Sequence, residues 1–149
     1  QESAIANICA RLPQRLHEAA SSLVTSWDRP IIPIEGMYEL VEELKNRGYG
    51  IYLLSNATIR LHEYWPNIAA SRFFDGKLVS ADVKLVKPQP ELYTLLCDTF
   101  GLVPSECFMI DDMPQNIEGA YEAHLAGFVF NDDVTALRNA LKQAGVHLA

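Results

Sequence analysis

Residues 108–120 read FMIDDMPQNIEGA. Three apolar residues run straight into Asp111 and Asp112, and a helical pattern opens at Pro114. The apolar run predicts a strand over Cys107 to Ile110. Two adjacent carboxylates at the end of a buried strand repel one another and lose hydration, a cost that some other charge has to offset.

The same alternation extends to either side. Ile51 to Leu54 is a short continuous apolar run, which suits a strand buried on both faces. Leu78 to Ala81 and Phe128 to Phe130 read as further strands. Between them lie helical patterns. Met37, Leu40, Val41 and Leu44 make an apolar stripe closed by Gly48. A helix is expected from Ile59 to about Ala69, with Pro66 near its end. Gln89 to Phe100 places Leu92, Leu95, Leu96 and Phe100 inward, with Gly101 as a stop. Pro114 to Ala123 places Ile117, Ala120 and Tyr121 inward. Asp132 or Asp133 caps a last helix bearing Val134, Leu137, Leu141 and Ala144. Strands alternating with helices predict an α/β doubly wound fold with a mostly parallel sheet and right-handed crossovers. Residues 1–30 read as a separate helical piece, broken at Pro13, with Asp28, Pro30 and Pro33 marking the connection to an α/β core over 31–149.

The bulk numbers narrow the function classes. A chain of 149 residues, 49% of them hydrophobic, suits one compact domain with a sizeable core. A net charge of -7 argues against a nucleic-acid binder and against electrostatic membrane attachment. No apolar run approaches the ~20 residues of a membrane span. QESAIANICARLPQRL lacks the layout of a signal peptide. Cys9, Cys97 and Cys107 show no metal-ligand spacing and read as small core residues of a reduced, cytoplasmic protein.

In an open parallel sheet, ligands gather beyond the C-terminal ends of the strands. Three polar groups here follow three strands: Ser55-Asn56, Lys87-Pro88 and Asp111-Asp112. Paired carboxylates suit Mg²⁺, which takes one or two of them together with waters and a phosphate. A Ser hydroxyl and an Asn amide can hold phosphate oxygens, and a fixed Lys supplies positive charge. Together the three groups describe a site for phosphate and magnesium. Each has a plainer reading alone, as a turn, a solvated loop lysine and a helix cap. Their ordered recurrence after three strands favours function. His17, His62, His124 and His147 are scattered. Arg60, Leu61 and His62, with Tyr64 and Trp65, could touch a ligand, but a helix surface with an apolar face explains them as well; Trp27 and Trp65 read as packing residues. No GxGxxG, GxxxxGK[ST] or GxSxG occurs.

At these residues the chain resembles the haloacid dehalogenase-like (HAD) hydrolases, most of which are magnesium-dependent phosphatases. LLSNA resembles the family's second motif, KLVKPQPELY its third and FMIDDMPQNIEGA its fourth, in the family's order, over roughly Pro33 to Ala144. The doubled acid and NIEGA most resemble the branch with a helical cap inserted after the first strand. The resemblance implies that Ser55 binds the transferring phosphoryl group with help from Asn56. It implies that Lys87 holds the charge of nucleophile and phosphate. Asp112 would be the main Mg²⁺ ligand, with Asp111 beside it as ligand or support and Asn116 as a helper. The family's first motif, DxDx[TV], supplies the nucleophile and the general acid-base, and no such motif occurs here. The expectation is that it lies upstream of Gln1, and that residues 1–30 are the end of a cap.

The implied function is hydrolysis of small phosphomonoesters such as sugar phosphates, by a monomer or homodimer with no nucleic-acid or membrane partner. The 149 residues alone would be inactive. The alternative is a binding protein or inactive fragment on the same scaffold, whose open sheet edges favour dimerisation. A phospho-receiver domain would carry its acid pair after the first strand and its Lys-Pro late, the reverse of the order here. A dehalogenase would not need the acid pair.

Overall fold

The computed structural model describes residues 2–26 and 31–149; Trp27, Asp28 and Pro30 lie outside the described residues. The chain divides into two compact units, Gln1–Pro33 and Ile34–Ala149.

In the first unit, helix α1 (Glu2–Cys9) packs against helix α2 (His17–Ser26). Between them Pro13 holds an extended backbone, φ -57° and ψ 142°, ahead of a 3₁₀ turn over Gln14–Leu16. The ring has no N–H to donate, so the helical ladder ends there. His17 Nε2 lies 3.0 Å from the Leu12 carbonyl oxygen across this break.

The second unit alternates helix and strand. Helix α3 (Met37–Asn46) leads to strand β1 (Tyr52–Ser55). Helix α4 (Leu61–Tyr64) and two 3₁₀ turns (Trp65–Asn67, Ala69–Phe73) lead to strand β2 (Gly76–Val79) and helix α5 (Ser80–Val83). Helix α6 (Pro90–Phe100), strand β3 (Phe108–Asp111), helix α7 (Pro114–Glu122), strand β4 (Ala126–Val129) and helix α8 (Val134–Gln143) follow. β1 pairs β2 in parallel, Leu54 opposite Leu78; β3 pairs β4 in parallel, Asp111 opposite Val129. Among the described residues the sheet is thus two parallel pairs.

Two apolar cores show how the helices are placed. Tyr52, Leu54, Leu78 and Met109 pack with Leu92, Tyr93, Leu96 and Cys97 of α6 and Ala120 of α7. Phe108, Phe128 and Phe130 pack with Leu40 of α3 and Leu137 and Leu141 of α8. Neighbours Phe108 and Met109 enter different cores, as alternation along a strand requires, so helices cover both faces.

Several expectations change. The helix over 59–69 is one short α-turn and two 3₁₀ turns: Pro66 sits in the first of these, and Ile68 leaves helical space at φ -82°, ψ 118°. The second strand runs Gly76–Val79, and Ser80–Ala81 already belong to α5. Only Leu54 of the 51–54 run is buried, because β1 has a strand neighbour on one edge alone. Tyr121 is exposed, its hydroxyl donating to the Gly127 carbonyl, while Asn116 and Gly119 join Ile117 and Ala120 on the buried face of α7. Trp65 packs edge-on against Phe74, centroids 5.0 Å apart. Asp133, not Asp132, caps α8, accepting from the Ala136 N–H at 2.9 Å. No helix among the described residues is long and apolar enough to cross a membrane.

Glu43 ties α3 to the chain's end. Its carboxylate accepts from the Ala149 N–H (2.6 Å), Arg138 Nη1 (2.7 Å) and Arg47 Nε (3.0 Å). The Ala149 bond first, then Arg138, lower its pKa from 4.5 to about 2. The folded value lies below the ordinary one. The stability this group contributes is therefore whole above pH 4.5 and disappears as pH falls toward about 2. Glu43→Gln is expected to lower the melting temperature near neutrality and to narrow its gap to the parent as pH falls through that window. Thermal melts of both proteins across the acid range measure the gap; a constant one refutes this role.

Candidate active site

The strand ends bring the sequence candidates together around one ammonium group. Lys87 Nζ donates to the Leu54 carbonyl at 2.9 Å and to Asp111 Oδ2 at 2.5 Å. Both side chains of the ion pair are buried, Lys87 9% and Asp111 5% exposed. The Leu54 carbonyl is available for a simple reason. The Asp75 N–H donates to the Ile51 carbonyl, so residues 51, 53 and 55 turn their backbone groups toward β2. Tyr52 and Leu54 then turn theirs to the opposite edge. By the same argument from the Ala126 and Phe130 amides, Phe108 and Ile110 turn theirs away from β4. Lys87 therefore reaches from the inner edge of β1 to the end of β3.

Asp111 is saturated on one side. Its Oδ1 accepts from the Met113 N–H (2.9 Å) and from Asn116 Nδ2 (2.8 Å). Burial pushes this carboxyl up, but the bonds from Lys87, Met113 and Asn116 outweigh burial and hold its pKa below the usual value. Asn116 is fixed in turn, because the buried Tyr93 hydroxyl donates to its carbonyl at 2.6 Å. Burial, followed by the charge of Asp111, pushes the Tyr93 phenol up to about 12. Asp112 is exposed and joins none of these bonds. Ser55 ends β1 one residue beyond the carbonyl that Lys87 holds, and its hydroxyl is likewise outside this network.

Asn56 sits differently from the expectation that it reaches toward a phosphate. Its Nδ2 donates to the Lys87 carbonyl (3.0 Å), and its Oδ1 accepts from the Lys87 N–H (2.7 Å). Both ends of the carboxamide are spent on one residue's backbone.

Two supports were not among the sequence candidates. Ser80, buried at the start of α5, accepts from the Ala57 N–H (3.0 Å) and donates to the Ala57 carbonyl (3.1 Å), which fixes the loop after β1. Gly119 lies on α7 where a Cβ would come within 2.3 Å of the Pro88 carbonyl oxygen, so only glycine lets the helix approach the Lys87-Pro88 segment, whose peptide bond is cis. A glycine inside a helix, costly by propensity, was the available signal. His62 pairs with Asp82 at 2.9 Å. The shallow groove along α6, lined by Leu85, Pro90, Glu91, Thr94, Leu95 and Asp98, includes none of the site residues.

Among the described residues no three His, Cys, Asp or Glu side chains are arranged as a metal cage. The donor set still fits Mg²⁺. Asp112 presents one free hard-oxygen ligand, and Mg²⁺ characteristically fills most of its shell with water and phosphate.

The family model for haloacid dehalogenase-like hydrolases matches residues 17–124. The chain is 26% identical over 116 residues to flavin mononucleotide hydrolase 1 of Arabidopsis thaliana, covering 78% of this chain and 47% of that protein. It is 30% identical over 111 residues to a phosphoserine phosphatase of Thermus thermophilus, covering 72% of this chain and 44% of that protein. It thus spans about half the length of these curated relatives or less. The wild-type HAD family enzyme of Bacteroides thetaiotaomicron, solved in complex with magnesium and inorganic phosphate, superposes with a TM-score of 0.62. The two are 23% identical, and the match covers 82% of this chain and 62% of the other.

Two stability outcomes follow from the geometry. Lys87→Met leaves a buried carboxylate without its cation and is expected to cost about 3–5 kcal/mol. Adding Asp111→Asn, which removes the charge and keeps Oδ1 as acceptor for Met113 and Asn116, should restore part of that; urea unfolding of the single and double variants reads it, and an additive double loss contradicts the pairing. Gly119→Ala, whose Cβ would fall within 2.3 Å of the Pro88 carbonyl oxygen, forces α7 away from Pro88 and is expected to cost roughly 1–3 kcal/mol in urea unfolding; an unchanged stability would contradict the close approach.

Proposed function

Because the chain belongs to the haloacid dehalogenase-like hydrolases, we propose that it is the larger part of a magnesium-dependent phosphatase of small phosphomonoesters, sugar phosphates among them. The reaction runs through an aspartyl-phosphate intermediate, and the nucleophilic aspartate stands on a segment upstream of Gln1. One observation carries this reading: a buried ammonium held between a strand carbonyl and a carboxylate, beside a free serine hydroxyl, at the C-terminal ends of parallel strands. Relatives named for hydrolysis of flavin mononucleotide and of phosphoserine support the substrate class.

Each residue has a role in this reading. Lys87 presents fixed positive charge to the phosphoryl group, and Asp111 keeps that charge in place. Ser55 donates its hydroxyl to a phosphoryl oxygen. Asp112 would hold the magnesium ion with Asp111 as ligand or support, and Asn116 holds Asp111. Bound magnesium supplies neutralisation of charge on the phosphoryl oxygens. The fixed dipoles and charges do most of the catalytic work, because they need no reorganisation as the transition state forms.

The strand edges support the reading of an upstream segment. β1 and β3 each lack a strand on their inner edge among the described residues, and Ile110, in mid-strand, is 36% exposed. Unpaired edges of this kind invite a strand. A strand between them would deliver its C-terminal residues to Lys87. Residues 1–30 are then the end of a helical cap, and 31–149 a core awaiting its first strand. The protein acts on a small phosphorylated metabolite in the cytoplasm as a monomer or homodimer, with neither nucleic acid nor membrane as partner.

The full-length protein, assayed for phosphate release from a panel of phosphomonoesters, is expected to be active with Mg²⁺ and silent after chelation. Lys87→Ala and Asp112→Ala should each lose about 100-fold or more in kcat. Full activity in both variants would refute the assignment. An intact mass of the native protein equal to 16.7 kDa would refute the upstream segment.

A further inference from the structure

We propose that Asn56 is a positioning residue for Lys87 and not a phosphate ligand; this rests on Lys87 being the charged group of the phosphatase site. A carboxamide has one acceptor end and one donor end, and a peptide unit flanking a residue offers the complement. Asn56 uses both against Lys87, with Oδ1 on its N–H at 2.7 Å and Nδ2 on its carbonyl at 3.0 Å. Two bonds in this arrangement fix the position of the Lys87 backbone and its rotation about the strand-end loop. A single bond would leave that rotation free.

The clamp matters because of what the side chain must do. The Lys87 ammonium meets two partners on different elements, the Leu54 carbonyl of β1 and Asp111 of β3. A lysine stem has many rotamers, so the shared position holds only if its Cα is placed correctly. Asn56 lies two residues after Leu54, so the strand that offers Nζ its carbonyl runs directly into the residue that sets the Lys87 backbone. The base of the clamp is itself fixed: Ala57, next in the chain, has both backbone groups bonded to the buried Ser80 hydroxyl. From Ser80 through Ala57 and Asn56 to Lys87, each contact is a two-point contact on backbone. Behind Lys87, the close approach of Gly119 to the Pro88 carbonyl restricts the other side.

This role differs from phosphate binding in a measurable way. A residue that acts through Lys87 has nothing left to position once Lys87 is removed. Asn56→Ala in the full-length protein is expected to lower kcat by about 100-fold, the scale of a misplaced catalytic group, with KM little changed. In a Lys87→Ala background the same change should cost under about twofold. Losses that multiply across the two backgrounds, or a loss confined to KM, would overturn the proposal and make Asn56 a direct ligand.

A second readout needs no activity. Acylation of lysines by an N-hydroxysuccinimide ester, followed by peptide mass spectrometry on the full-length protein, is expected to show Lys87 nearly unlabelled. In Asn56→Ala, Lys87 should label at least about tenfold faster, while Lys77 and Lys142 keep their rates. An unchanged Lys87 rate would overturn the clamp. If the full-length protein showed no phosphatase activity while the labelling behaved as expected, the positioning role would stand and the catalytic reading of Lys87 would fall.

Discussion

The second unit is organised around a buried ion pair between the last residue of β3 and a residue of the loop that leads into α6. Lys87 and Asp111 meet with less than a tenth of either side chain exposed. Desolvating two charges costs several kcal/mol for each, and replacing such a pair by apolar residues is often neutral or better. Stability alone is thus a poor reason for keeping it. Its geometry offers another reason. The ammonium also takes the inner-edge carbonyl of β1, so one positive charge joins two pairs of strands that share no backbone ladder among the described residues.

Most of the surrounding structure serves to keep that charge still. On the Asp111 side, the Met113 amide and the Asn116 carboxamide fill one carboxylate oxygen and leave the other to Lys87. Tyr93, fully buried, spends its hydroxyl on the Asn116 carbonyl, so a core residue of α6 reaches the site through one intermediary. On the Lys87 side, backbone contacts from Asn56 and the close approach of Gly119 replace side-chain bonds. A flexible lysine needs this more than an arginine would, because its compact ammonium carries no directional fork of its own. The apolar cores supply the rigidity: β3 sends Phe108 into one and Met109 into the other, which fixes the rotation of the strand that carries Asp111.

The parts of this arrangement that could be read in the sequence are those set by local pattern. The alternation of apolar runs with helical stripes placed every strand within two residues, and Gly101 ends α6 in the left-handed region at φ 66° as a C-terminal glycine should. Ser55, Lys87 and the acid pair announced themselves because each follows an apolar run. The failures have a common cause. Pro66 divides its segment into 3₁₀ turns only because Ile68 goes extended, which nothing local demands. Tyr121 and Gly119 differ by two positions on one helix, and only the approach of the Pro88 carbonyl decides which of them faces inward. Asn56 and Ser80 act through backbone groups of residues at least 23 positions away. Side chain to distant backbone bonds leave no periodicity, so a sequence shows such residues as ordinary turn formers.

The adjacent aspartates show how position divides identical residues. Side chains along a strand alternate in direction, so Asp111 shares the side of β3 that carries Met109, toward the core of α6 and α7. There it is buried and meets three donors. Asp112, one residue beyond the strand, is exposed. The repulsion that the sequence advertises is therefore met unequally. One carboxylate is neutralised by a lysine brought from another loop, and its negative charge is already spent. The other is exposed and takes no part in these bonds. Had both faced inward, one cation could not have satisfied them, and burial would have driven one to take up a proton. Had both faced outward, Lys87 would have had no partner to hold it at the end of β1. A held ammonium with an exposed acid beside it follows from two acids in sequence, one at the last residue of a strand and one at the first beyond it.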